Sequence, residues 1–137
     1  GPERAALESL AADQIGAVHF LGQQPREAVR KYMRAADVFV LFSTYEGLPH
    51  TVLEAMATQT PVIASKVGGN VEVIEDERTG FLVHPDDVDG LAHTISRVLS
   101  DPSIGSRLSQ DALSSLGRFA WETLVEDTER VLCEVAV

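Results

Sequence analysis

The chain has 137 residues, 45% of them apolar and 23% charged, a composition that suits one globular domain and argues against disorder. Eleven Lys and Arg against 21 Asp and Glu leave a net charge of −10, which excludes the basic face that general nucleic-acid binding requires. The single cysteine, Cys133, excludes an internal disulfide and a cysteine metal cluster. It fits a reducing compartment; with no apolar run near the about 20 residues of a membrane span and no leader pattern, a soluble, cytoplasmic protein is expected.

Helix and strand patterns then alternate along the chain. Residues 3–13 are rich in Ala, Leu and Glu and predict a helix, and the apolar run 17–21 before Gly22 predicts a strand. A second helix is expected over 25–36, with Ala28, Val29, Tyr32 and Met33 on one stripe and Arg26, Arg30, Lys31 and Arg34 off it. Residues 38–42 are five apolar residues without polar alternation, as in a strand covered on both faces. A third helix opens near Pro49 and runs to about Thr58. Residues 61–65 predict a second buried strand, led by Pro61. Val67-Gly68-Gly69 turns into a short helix over 71–76, and Thr79-Gly80 leads to a strand over 81–83. Beyond Pro85 the pattern is helical, over about 87–100, 103–116 and 119 to the end, with a break at Ser100–Ser103. Short buried strands alternating with helices predict a parallel α/β sheet followed by a helical tail.

The informative stretch is Ser43–Ala57. It follows a buried strand, so it lies at a strand's carboxyl end, where open α/β sheets bind ligands. Gly47 permits a turn, and Pro49 suits the first helical position. The N–H groups of His50, Thr51 and Val52 are then expected to be free at the helix start and, with the dipole and the Thr51 hydroxyl, to form an anion cradle suited to phosphate. Glu46 precedes that cradle and Glu54 lies within the helix among apolar residues. A carboxylate in such company needs a hydrogen-bonding partner, and vicinal hydroxyls such as those of ribose are one solution. The plainer alternative has Glu54 capping a neighbouring backbone group or reaching water.

The succession Glu46-Gly47-Leu48-Pro49, Glu54-Ala55-Met56-Ala57, Pro61-Val62-Ile63-Ala64, Gly68-Gly69, Glu72 and Thr79–Val83 resembles the C-terminal half of the family 4 retaining glycosyltransferases, of the GT-B fold. Two glutamates separated by seven residues are that family's hallmark, matched here by Glu46 and Glu54. Phe20-Leu21-Gly22, Phe119–Glu122 and even Gly1–Arg4 (where Gly-Pro could equally be a cloning remnant) extend the likeness to nearly the whole chain.

The resemblance implies a donor-binding lobe, spanning 1–137, that takes a nucleotide-diphosphate sugar. Glu54 accepts from the ribose hydroxyls, Glu46 lies by the transferred sugar, and backbone N–H groups from Gly47 and Leu48 through Val52 hold sugar and diphosphate. Gly22 and Gln23 are weaker candidates near the base. No metal or further cofactor is implied, and the spacing of His, Cys and acidic residues suggests no metal site. The retaining reaction needs no protein nucleophile, which leaves Glu46 an electrostatic and positioning role. The acceptor, whether sugar, lipid or small molecule, is not defined by these residues.

The resemblance also implies missing parts: the acceptor-binding N-terminal domain, and two strands of this domain with the Arg/Lys loop that clamps the diphosphate. Arg26, Arg30, Lys31 and Lys66 do not match those clamp positions and are expected to be solvated, although the cations of 25–36 could also favour an anionic membrane surface. In the family's strand order, 3-2-1-4-5-6, residues 17–21 would have no neighbour. The expected α/β fold is therefore a partial Rossmann-like sheet of about four strands. That sheet would be rearranged, or completed by another chain as a swapped or strand-sharing homo-oligomer; an isolated, exposed first strand would count against both versions. Two further readings remain beside the inactive donor lobe. One is a free-standing nucleotide-sugar-binding or partner-binding module, and the other a GT-B epimerase. His19 reads as a core histidine, His84 and His93 as surface residues, and Glu72 as a helix cap, a loop brace or a ligand contact. Trp121, Leu124 and Val125 are expected to pack the last helix on the domain, and Cys133 to be incidental.

Overall fold

The computed structural model describes residues 2–12 and 16–135, apart from the side chains of Leu124 and Val135. Three parallel strands, β1 (Phe39–Leu41), β2 (Val62–Ser65) and β3 (Phe81–Val83), lie side by side in chain order. Phe39 aligns with Val62, and Ile63 in turn with Phe81. The helices are α1 (Arg4–Leu10), α2 (Arg26–Ala35), α3 (His50–Ala57), α4 (Asn70–Val73), α5 (Val88–Ser100), α6 (Pro102–Ser115) and α7 (Trp121–Val135), with a 3-10 turn at Leu116–Phe119.

The middle strand shows why these runs are apolar without alternation. Every residue of β2 is buried. Val62 and Ala64 face a cluster made by Met33 of α2, Val52, Ala55 and Met56 of α3, and Ala112 of α6. Ile63 faces the opposite cluster, with Phe81 and Val83 of β3, Val98 of α5 and Leu108 of α6. A strand covered on both faces has no polar side to show. The break expected at Ser100–Ser103 is a shared cap: Asp101 ends α5 and accepts from the Ser103 N–H at 3.0 Å to start α6.

Several expectations fail here. Residues 17–21 form no strand, so the sheet has three strands and not four. Val18, His19 and Leu21 are exposed, because a parallel strand exists only beside a neighbour and none reaches this segment. The sheet has not rearranged to take this segment in. His19 is therefore no core histidine. Tyr32 is exposed, although Met33 on the same stripe is buried. Trp121, 72% exposed, does not pack α7 onto the domain, and Val125 is exposed too. The expectation for Leu124 lies outside the described side chains. Asp13 of the expected first helix, Gly1 and the last two residues of the expected C-terminal helix lie outside the described residues.

Candidate functional site at the carboxyl ends of the strands

Two loops meet beyond the sheet. One runs from the end of β1 to α3 and carries Glu46, Gly47, Leu48 and Pro49; the other leaves β2 through Gly68 and Gly69. Gly69 donates its N–H to the Glu46 carbonyl at 3.0 Å. The approach is so close that a Cβ on Gly69 would overlap the Gly47 carbonyl oxygen, and one on Gly68 the Glu46 carbonyl oxygen. Gly68 also has φ +41°, a conformation that side chains oppose. The glycine pair thus seats the Glu46 loop. Gly47, in contrast, has no left-handed φ, and a Cβ there would meet nothing within 4 Å. Its own turn does not need glycine; the space beside it is open.

Pro49 caps α3 and does not occupy its first turn. With φ −81° and ψ 80° it makes an inverse γ-turn in which the His50 N–H donates to the Leu48 carbonyl at 2.9 Å. The Val52 N–H likewise donates to the Pro49 carbonyl at 3.0 Å. The cradle is therefore smaller than expected: His50 and Val52 are occupied. Among the described residues the N–H groups of Thr51 and Leu48 have no backbone acceptor. Val52 is buried in the core, whereas Gly47, Leu48, His50 and Thr51 are exposed.

Both glutamates are half-buried and both have partners. The Ser43 hydroxyl donates to Glu46 Oε1 at 2.6 Å. The Ser43 N–H donates to the buried Ser65 Oγ at 3.1 Å, and Asn70 Nδ2 donates to the Ser65 carbonyl at 2.9 Å. This string ties the Glu46 loop to β2 and α4. Asn70 Oδ1 is buried with no hydrogen-bond partner among the described residues. Glu54 Oε1 accepts from Arg26 Nε at 3.0 Å and from Arg26 Nη2. Arg26 is thus not simply solvated: the first residue of α2 reaches Glu54 across 28 positions of sequence.

Gly22, with φ +66°, and Gln23 are exposed in the loop that leads to Arg26, and neither hydrogen-bonds to Glu46 or Glu54. Glu72 is exposed and caps nothing. His84 and His93 are surface residues, as is Cys133. Sequence reasoning passed over Ser43, Ser65, Asn70 and Arg26 as site residues. The Gly-Gly dipeptide was a visible signal for the second loop, whereas nothing local marks Arg26.

A parallel sheet has two loops joined at its carboxyl ends, with one held carboxylate, Glu46, on the loop before α3 and the other, Glu54, inside that helix. The family model for glycosyl transferases group 1 matches residues 1–114, and the chain belongs to that family. An uncharacterized glycosyltransferase of Methanocaldococcus jannaschii is 36% identical over 135 residues, covering 96% of this chain and 34% of that protein. Sucrose-phosphate synthase from Thermosynechococcus elongatus superposes with a TM-score of 0.84 at 36% identity, over 98% of this chain and 35% of that one. Anabaena HepE, solved in complex with UDP and glucose, superposes with a TM-score of 0.81 at 25% identity, over 97% of this chain and 38% of HepE. The chain spans about a third of the length of these relatives. The fold has the α/β architecture of GT-B glycosyltransferases. Among the described residues no helix is long and apolar enough to cross a membrane.

Proposed function

We propose that this chain is the donor-binding lobe of a family 4 retaining glycosyltransferase, working within a longer enzyme. Glu54 accepts from the ribose hydroxyls of a nucleotide-diphosphate sugar through its free oxygen. The diphosphate lies against the start of α3, met by the Thr51 N–H and hydroxyl and by the Leu48 N–H. The open space at Gly47 lets the transferred sugar approach the backbone. Glu46, held by Ser43, orients that sugar and offsets the positive charge that grows as the nucleotide departs. No residue here serves as a nucleophile in this reading. The lobe alone transfers nothing, because the acceptor side of the cleft belongs to the remainder of the enzyme, and its setting is cytoplasmic.

The observation that carries the reading is the pair of held glutamates flanking the α3 start at the carboxyl end of β1. Calorimetric titration of UDP-, GDP- and ADP-sugars into the chain and into Glu54→Ala tests it. Binding of one nucleotide sugar, lost in the variant, is expected. Binding that survives in Glu54→Ala, or no binding at all, would overturn the donor-site reading while leaving the family membership intact.

A further inference from the structure

We infer that Arg26 is a positioning residue of the donor site, acting through Glu54; the inference rests on the donor-site reading above. Arg26 places Nε and Nη2 on one oxygen of Glu54, Oε1. Among the described residues no donor reaches Oε2, which is left to accept from a ligand. The planar guanidinium directs both of these N–H groups to Oε1, so it occupies that oxygen and leaves Oε2 as the acceptor. Arg26 thereby restrains the half-buried Glu54 side chain through one oxygen and leaves the other to a ligand.

The burial of the pair supports a role in binding over one in stability. The Arg26 side chain is 79% exposed and that of Glu54 23%. An ion pair this open to water contributes little to folding. Its loss should therefore appear in ligand recognition and not in the unfolding midpoint.

Because Glu54 reads the ribose, the effect of Arg26 must depend on the ribose hydroxyls. The test compares UDP with 2′,3′-dideoxy-UDP on the parental chain, Arg26→Ala and Arg26→Lys. It follows amide chemical shifts, which resolve dissociation constants into the millimolar range. Arg26→Ala is expected to weaken UDP about three- to tenfold, the size of one hydrogen bond's net contribution. The dideoxy nucleotide should bind unchanged, so that discrimination between the two collapses. Arg26→Lys, a point charge without the fork, should fall between. The thermal midpoint should stay where it was. Equal loss for both nucleotides would overturn the inference, because Arg26 would then act on the phosphates directly. So would binding untouched by Arg26→Ala. If the parental chain binds no UDP, GDP or ADP sugar, the donor-site reading fails first and this inference with it.

Discussion

Replacing Gly69 by alanine tests whether the glycine pair seats the Glu46 loop. The added methyl would overlap the Gly47 carbonyl oxygen and stand 3.1 Å from Pro49 Cδ, and the obstructing carbonyl is backbone that no rotamer can move aside. The loop must lift, which strains or breaks the bond from the Gly69 N–H to the Glu46 carbonyl. Overpacking of this kind costs about 1–3 kcal/mol, and the hydrogen bond is worth about 1 kcal/mol. Gly69 itself has φ −63°, which alanine adopts freely, so the stiffer unfolded chain returns about 0.4–1 kcal/mol. The net expectation is a loss of about 1–3.5 kcal/mol. Urea unfolding followed by far-ultraviolet circular dichroism reads it, with Gly47→Ala as the comparison. That second methyl enters open space and should change stability by less than about 0.5 kcal/mol while weakening sugar-nucleotide binding. A Gly69→Ala variant within about 0.5 kcal/mol of the parental chain would refute the seating argument, since ordinary surface substitutions fall in that range.

Further outcomes follow from the same packing and hydrogen bonds. Ser43→Ala removes the 2.6 Å bond to Glu46 and should lower affinity for UDP-glucose while leaving that for UDP unchanged, measured by calorimetry. Met56→Ala, at a fully buried position under β2, should cost about 2–5 kcal/mol in urea unfolding, whereas Trp121→Ala, at a largely exposed one, should cost less than about 0.5 kcal/mol. Asp101 has its carboxyl held below the usual carboxylate range by the Ser103 hydroxyl and then the Ser103 N–H. A lowered folded value means that its stabilisation is present above the unfolded value and is lost as pH falls through the folded one. The advantage of the parental chain over Asp101→Asn should therefore be present at neutral pH and vanish in strong acid, read from urea midpoints.

The strands and helices that bury a face were legible because burial leaves a pattern. The stretch 61–65 reads as a buried strand, and Val62–Ser65 form one. Residues 17–21 carry the same signal and form nothing, because a strand is a relation between segments and a run of side chains cannot report whether its neighbour exists. Trp121 misleads in the same way: an aromatic at a helix start suggests a core contact, yet it lies on the surface. At the site, Glu46 and Glu54 could be picked out by residue type and spacing, and the glycine pair by its dipeptide. The backbone donors could not be assigned so simply, since the γ-turn at Pro49 consumes the His50 N–H that helix geometry alone leaves free. Arg26 reads as one more solvated cation of α2, because its partner Glu54 is 28 residues away and only the packing of α2 beside α3 brings the two together.

A crystal structure of the chain soaked with UDP tests the central claim most directly. The account predicts ribose hydroxyls within hydrogen-bonding distance of the Glu54 carboxylate and phosphate oxygens on the Thr51 N–H. A nucleotide bound elsewhere, for instance in the hollow between Ala36, Gln59 and Gly105, with Glu54 still engaged only by Arg26, would contradict it.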